Sequence, residues 1–340
     1  MKGLKVQKTM ANEIRKILLK KSLINLNYKI KQTDKGIIIP LIKNPDPHLL
    51  NELDLSPENI VESEFQNQKR GPKSLKDYLT NKIDPKTMEE IKSSFDIIGD
   101  VVILEIPQDL DDYKYIIGDA ALKFTKRRTV YRKKSKIKGL KRTREFEHLA
   151  GEKNSETVHK EFGARFSMDV KKVYFSPRLA TERKRISNLV EDGETIVDMF
   201  AGVGPFSIII ARENNVKIYA IDINPDAYYY LKQNIEMNKV QERIVPVLGD
   251  AADYLKLTNI KANRILMNLP GIAWKYLENG MEALKYGGIL HYYEFASDFE
   301  TAVNRIENAA QPRNVEILNK RKVKSKSPGK WHIGVDAKVF

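Results

Sequence analysis

The sequence predicts an α/β protein in three parts: a doubly wound parallel sheet in the C-terminal half, an α+β middle domain before it, and a small N-terminal α/β domain. Three observations predict it. From about Phe166 onward, buried strand patterns alternate with helical ones, the mark of βα units around a parallel sheet. A glycine-containing loop, DMFAGVGPFS at 198–207, joins the first of these strands to its helix. A chain of 340 residues is also too long for one typical core.

Each element follows from its local pattern. Residues 1–66 make the small N-terminal domain. Met10 to Lys21 has apolar residues at helical spacing through Ile14, Ile17, Leu18 and Leu19, while YKIK at 28–31 and GIIIPLI at 36–42 read as short strands. Residues 67–74 are polar and basic and contain Gly-Pro, which suits a linker. The middle domain spans 75–165, with a strand or hairpin at 96–106 and a helix at 113–124. The last domain, 166–340, carries strands at 194–200, 216–223, 243–250, 263–269 and 288–295, and a helix at 225–237.

Charge indicates a partner. Lys and Arg number 59 against 45 Asp and Glu, a net +14. Between Ala121 and Arg144 there are twelve Lys or Arg and no acid, with Tyr131, Ile137 and Leu140 interleaved. A run of one sign repels itself unless phosphates neutralise it, so the stretch reads as a nucleic-acid contact. A shorter basic run lies between Lys320 and Lys330. The chain has no Cys, which excludes disulfides, iron–sulfur clusters, Cys-rich zinc sites and thiolate nucleophiles. Its five His show no ligand spacing, so no metal site is expected. No stretch has the apolar length of a signal peptide or a membrane span, and the chain reads as cytoplasmic.

In an open α/β sheet the ligand lies beyond the C-terminal strand ends. The first four strands end in Asp198, Asp222, Asp250 and Asn268. Gly202 and Gly204 let the loop turn tightly and approach a ligand. A dinucleotide site needs a third glycine where Ser207 stands, and Asp198 would repel a pyrophosphate. S-adenosylmethionine, with no phosphate and a positive sulfonium, has the opposite preference. Asp198 would then lie near the methionine end, Asp222 on the ribose hydroxyls and Asp250 at the adenine amino group. The sequence NLP at 268–270 follows the fourth strand: the Asn268 carbonyl can accept an N–H from a flat base, and Pro270 stiffens the turn. This points to methylation at nitrogen of a base, flipped out of its stack to reach the pocket.

Taken together, RTREFEHLAGE at 142–152, HKE at 159–161, VYFSPRLATER at 173–183, VDMFAGVGPF at 197–206, AIDINP at 220–225, MNLP at 267–270 and HYY at 291–293 resemble the archaeal and eukaryotic tRNA (guanine-37-N1)-methyltransferases. The resemblance covers residues 96–340 strongly, and residues 1–66 only in size and character. It implies a class I, Rossmann-like methyltransferase domain using S-adenosylmethionine. It also implies a monomer acting on tRNA, with the anticodon stem-loop over the basic stretch and the N-terminal domain at the outer corner. Glu182 matches the family's general base for the N1 proton, and Arg142 its cation for charge developing on O6, with Arg144 an adjacent candidate. Asn268 and Pro270 would position the guanine. Tyr174, Arg183, Phe200, Asp222, Ile223, Asp250 and Ala251 would contact the cofactor, and Lys133, Lys134, Lys136, Arg142 and Arg144 the RNA.

Glu182 follows a helix start in which Ser176 caps and Pro177 takes the first position, which places it near the mouth of the site. Partly buried there, its carboxyl would have a raised pKa. From the residues alone it reads more readily as a surface acid paired with Arg178 or Lys184, with His148 the alternative base. Three other functions fit the chain: methylation of a wyosine precursor, guanine N2 or adenine N6; RNA binding by a non-catalytic fold; and protein methylation.

Overall fold

The structure, a computed structural model, describes every residue except 69–71, 93, 136–138 and 140–143. The chain divides into two compact units, Met1–Lys73 and Ser74–Phe340. The first contains β1 (Lys2–Val6), α1 (Ala11–Lys20), β2 (Lys31–Thr33), β3 (Gly36–Pro40), α2 (Pro47–Glu52) and β4 (Ile60–Glu62). Its strands form one antiparallel sheet in the order β2-β3-β1-β4. Ile14 and Leu18 of α1 close a core with Leu4, Val6 and Ile39. Helix α2 begins where Asp46 accepts the Leu49 amide at 2.8 Å and Pro47 takes the first turn.

The second unit opens with α3 (Pro85–Glu90), β5 (Asp96–Ile98), β6 (Val101–Leu104), α4 (Lys114–Thr125), β7 (Thr129–Lys133), β8 (Phe146–Gly151), β9 (Glu156–Glu161) and β10 (Ala164–Asp169). A four-stranded sheet runs β5-β6-β7-β8, with β5 and β6 an antiparallel hairpin and α4 crossing between parallel β6 and β7. Strands β9 and β10 pair separately. No packing boundary falls at residue 165. Ile98, Val101, Ile103 and Tyr131 share one core with Phe166, Ile196, Phe206 and Tyr293 further along the chain.

Then follow α5 (Ala180–Ser187), β11 (Thr195–Asp198), α6 (Pro205–Glu213), β12 (Lys217–Asp222), α7 (Pro225–Met237), β13 (Ile244–Leu248), α8 (Ala251–Thr258), β14 (Ala262–Met267), α9 (Leu277–Ala283), β15 (Leu284–Ala296), α10 (Glu300–Ala310), β16 (Val315–Ser327) and β17 (Lys330–Val339). The seven strands run β13-β12-β11-β14-β15-β17-β16, the first five parallel and the last two antiparallel to their neighbours. The chain winds outward from β11 through β12 to β13, then returns to β14 on the other side. The order therefore reverses between β11 and β14, beyond whose ends a ligand site is expected. Strand β15 is longer than its sequence pattern, and the basic run at 320–330 lies in the antiparallel hairpin of β16 and β17.

A buried polar chain crosses the underside of this sheet. The Arg264 guanidinium donates to both Glu194 oxygens at 2.8 Å, to the Leu189 carbonyl at 2.7 Å and to His291 Nε2 at 2.8 Å. Because a guanidinium only donates, His291 carries its proton on Nδ1 and donates it to Asp336 at 2.6 Å. Burial pushes the His291 pKa down, so the ring is neutral. Replacing Arg264 with Met would leave Glu194 and the Leu189 carbonyl without their partner. Urea denaturation of Arg264→Met is expected to show a loss of about 3–5 kcal/mol; a loss under about 1 kcal/mol would make the chain dispensable.

Candidate active site

The loop after β11 is shaped by two glycines at positive φ, Gly202 at 57° and Gly204 at 85°. A Cβ on Gly204 would stand 2.5 Å from Leu231 Cδ1, so this glycine serves close packing under the loop. Gly202 donates its amide to Asp222 Oδ2 at 2.7 Å, and the Gly204 amide donates to the Ala201 carbonyl at 2.9 Å. Both loop amides are therefore engaged within the protein. A pyrophosphate would need such amides free, and this removes the dinucleotide alternative on geometry.

A cavity of about 860 Å³ opens over this loop at the C-terminal ends of β11, β12, β13 and β14. Nine of the eleven residues expected to contact a cofactor line it: Tyr174, Arg183, Phe200, Gly202, Asp222, Ile223, Asp250, Ala251 and Asn268. Asp222 Oδ1 also accepts the Asn224 amide at 2.8 Å, which fixes the carboxylate in the cavity wall. Asp250 caps α8, accepting the Ala252 amide at 2.8 Å, and its other oxygen accepts the Tyr276 hydroxyl at 2.9 Å. Tyr276 meets Phe200 edge-on at 5.1 Å and completes an aromatic wall. Sequence reasoning missed Tyr276, because no periodicity or motif marks a lone Tyr in the turn after NLP. Asn268 Oδ1 is buried in this wall without a hydrogen-bond partner, an acceptor left over for a ligand.

Asp198 and Gly204, expected beside the cofactor, are not among the residues that line the cavity. The Asp198 side chain turns inward beneath the loop and accepts the Ser207 hydroxyl at 2.8 Å. Burial pushes its carboxyl up to about 7, against the opposing hydrogen bonds from Ser207 and the Phe200 amide.

Next to the cavity lies a broad cleft of about 2660 Å³ between the four-stranded sheet and the β16–β17 hairpin. Tyr174, Phe175, Ser176 and Leu269 line both spaces, so the two meet at that seam. Among the described residues the cleft wall carries Lys92, Lys133, Lys134, Arg144, Arg178, Lys324 and Lys326 against Asp96 and Glu105. Lys133, Lys134 and Arg144 thus lie where an RNA contact was expected, while Lys136 and Arg142 fall outside the described residues.

The basic stretch is less bare in space than in sequence. Lys123 pairs with Asp119, Arg127 with Asp100, Arg128 with Glu152, Arg132 with Asp111 and Glu147, and Lys133 with Asp96.

Glu182 departs most from expectation. It lines neither space and is buried at 6% exposure. Arg185 donates to it at 2.9 and 3.1 Å, the Tyr293 hydroxyl at 2.6 Å, and Arg321 through both Nε and a terminal nitrogen. Burial opposes its charge, but the Arg321, Arg185 and Tyr293 hydrogen bonds outweigh that and hold the carboxyl at about 2. The expected upward shift is therefore reversed. The surface-acid alternative fails as well: Arg178 pairs with Asp96 and Lys184 with Glu213. Ser176 does not cap its helix; its hydroxyl lies 3.3 Å from Lys324 Nζ. Pro270 is buried outside both linings, and its carbonyl accepts the Phe295 amide at 3.0 Å. His148 faces the Glu152 carbonyl at 3.1 Å. Among the described residues no cluster could hold a metal, and no helix is long and apolar enough to cross a membrane.

A reversed strand order, a cavity over the strand ends with closed loop amides and an adjoining basic cleft fit the doubly wound methyltransferase class. Comparison with known proteins narrows this. Residues 157–318 match the TRM5/TYW2 methyltransferase domain, 75–154 the TYW2 N-terminal domain and 3–49 the tRNA methyltransferase 5 N-terminal domain. The chain belongs to the TRM5/TYW2 methyltransferase family.

It is 40% identical to the tRNA (guanine(37)-N(1))-methyltransferase Trm5b of Methanocaldococcus jannaschii, over 99% of this chain and 98% of that one. The crystal structure of Trm5b from Pyrococcus abyssi superposes with a TM-score of 0.83 at 38% identity, covering 100% of this chain and 99% of that one. The complex of aTrm5 with tRNALeu gives 0.76 at 36% identity, with 100% of both chains covered.

The Asp198 carboxyl yields a test with a definite sign. Its folded pKa of about 7 lies above an unfolded value near 4, so its penalty sets in as pH rises through 4 and is complete above 7. Asp198→Asn is expected to gain thermal stability relative to wild type between about pH 5 and about pH 8. Parallel melting curves across that range would place the carboxyl elsewhere.

Proposed function

We propose that this protein transfers a methyl group from S-adenosylmethionine to N1 of guanosine 37 in tRNA, next to the anticodon. The observation that carries the reading is the seam at Tyr174, Phe175, Ser176 and Leu269, through which a base lying in the basic cleft meets the floor of the nucleoside cavity. The likeness to guanine-37 methyltransferases over nearly the whole chain supports the choice of acceptor.

The residues present fit the cofactor. Asp222, in the cavity wall at the end of β12, would accept from the ribose hydroxyls. Ile223 and the Phe200–Tyr276 wall offer apolar faces to the adenine, and Asp250 an acceptor beside it. Arg183, at the seam end, is oriented by Glu161 and the Ser176 carbonyl. When bound, S-adenosylmethionine supplies an electrophilic methyl group on a positive sulfur.

The chain's own groups do the rest. Lys133, Lys134 and Arg144, with Lys136 beside them in sequence, hold the anticodon stem-loop, and the guanine flips from its stack into the seam. Asn268 Oδ1 accepts a ring N–H and fixes the base in plane, while the Pro270–Phe295 bond keeps its turn rigid. Arg142, which matches the family's cation for this role, stabilises the negative charge that gathers on O6 as N1 loses its proton. Glu182 takes that proton. Its carboxylate has about four acceptor positions, all engaged by Arg185, Arg321 and Tyr293, so one of these donors withdraws before the proton arrives. The first unit meets the outer corner of the tRNA, and one chain suffices for the reaction.

The test is methylation of a tRNA transcript in vitro, then nuclease digestion and mass spectrometry. The expected product is 1-methylguanosine at position 37, lost when that guanosine is replaced. A methyl group at guanine N2 or adenine N6, or one that survives the replacement, contradicts the reading.

A further inference from the structure

The lysines of the β16–β17 hairpin have no part in the mechanism above. Strand β16 is the edge of the seven-stranded sheet, paired only with β17. Lys324 and Lys326 turn into the cleft, where Lys326 lies 4.7 Å over the Phe295 ring, itself part of the lining. Lys320, Lys322 and Lys330 are exposed, and Lys322 lies 4.5 Å over the Trp331 ring.

Among the described residues, Lys320, Lys322, Lys324 and Lys330 have no carboxylate at ion-pair distance, whereas Arg321 between them is committed to Glu182 and Asp336. This is the reverse of the 121–144 stretch, where five cations are neutralised within the protein. Lysines on an edge strand also deter strand-to-strand aggregation. That need does not account for two of them facing a cleft, nor for two aromatic rings each covered by a lysine.

We propose that the β16–β17 hairpin is a second RNA-binding wall, which grips the phosphodiester backbone of the strand entering the cleft from the side opposite Lys133, Lys134 and Arg144. The inference rests on the tRNA reading above and adds to it a contact surface with named residues. Uncompensated lysines bind phosphates by releasing condensed counterions, and a lysine-covered ring is a platform for an unstacked base.

The test measures tRNA affinity across a salt series for wild type, for Lys320→Ala/Lys322→Ala/Lys330→Ala, for the same three positions changed to Arg, and for a control, Lys217→Ala/Lys261→Ala/Lys285→Ala. The control positions lie at the opposite end of the sheet, where β12, β14 and β15 begin. The hairpin Ala variant is expected to lower the slope of log Kd against log salt by about 2, at about 0.7 for each phosphate that is no longer neutralised. The Arg variant and the control keep the wild-type slope. S-adenosylmethionine binding by calorimetry stays unchanged in all four, which reports that each is folded.

An unchanged slope in the Ala variant, or an equal drop in the control or the Arg variant, overturns the hairpin wall. The same preparations are assayed for methylation. A wild-type protein that leaves the transcript unmethylated brings down the tRNA reading and this inference together, while normal methylation with an unaltered slope removes the hairpin wall alone.

Discussion

Two buried carboxylates and two half-buried guanidiniums hold the working parts together. Glu182 and Asp336 are each bridged by both Arg185 and Arg321, so two carboxylates and two guanidiniums close a ring. Its members come from α5, β16 and β17. The ring thus ties the segment that starts at the seam of cavity and cleft to the hairpin that walls the cleft. His291 and Arg264 continue it across β15 and β14 to Glu194. Taking charges out of water is costly, and such a ring is stable only because every oxygen has a donor; removing one member leaves the others uncompensated. Asp336 is accordingly held well below the usual carboxylate range, as burial is overcome by His291, Arg321 and Arg185.

The same ring constrains the chemistry. A base raised toward neutrality is one way to remove a proton; a permanent anion held in place by guanidiniums is another. In the proposed reaction a carboxylate of low intrinsic basicity would take the N1 proton only once a donor yields its place and a cation stabilises the charge left on O6. Arg321 stands on the strand whose neighbouring lysines face the cleft. The group that restrains Glu182 and one wall of the cleft therefore belong to one element. The cofactor side is arranged differently. There the loop amides are closed by Asp222 and Ala201, and among the described residues of the lining Asn268 Oδ1 and Arg183 Nε are buried polar atoms left open.

Much of this was legible in the sequence where information is local. Asp or Asn followed by Pro begins helices at Asp46, Asp84 and Asn224, and each side chain accepts a first-turn amide as the pattern implies. Period and length gave the five parallel strands, and their terminal residues led to most of the cavity lining. What stayed hidden depends on pairing between distant segments. Nothing near Glu182 indicates that Arg321, 139 residues later, would lie against it, so its titration was expected in the wrong direction. The run at 121–144 looks uncompensated along the chain because its acids, from Asp96 to Glu152, arrive from neighbouring strands and turns. Asp198 has the sequence position of a ligand contact, yet its side chain faces Ser207, a choice made by the rotamer and not by the spacing.

The central claim, that the ring keeps Glu182 an anion of low basicity in the free protein, is tested most directly by titrating its side-chain carboxyl. The carbon-13 resonance of labelled glutamate, assigned by its absence in Glu182→Gln, would be followed as pH is lowered. The account predicts no change through the range near pH 4.5 where ordinary glutamates titrate, and a midpoint, if the fold survives to reach it, at about 2. A midpoint at or above 4.5 would contradict it, and would mean that Arg185, Arg321 and Tyr293 do not hold the carboxylate in solution.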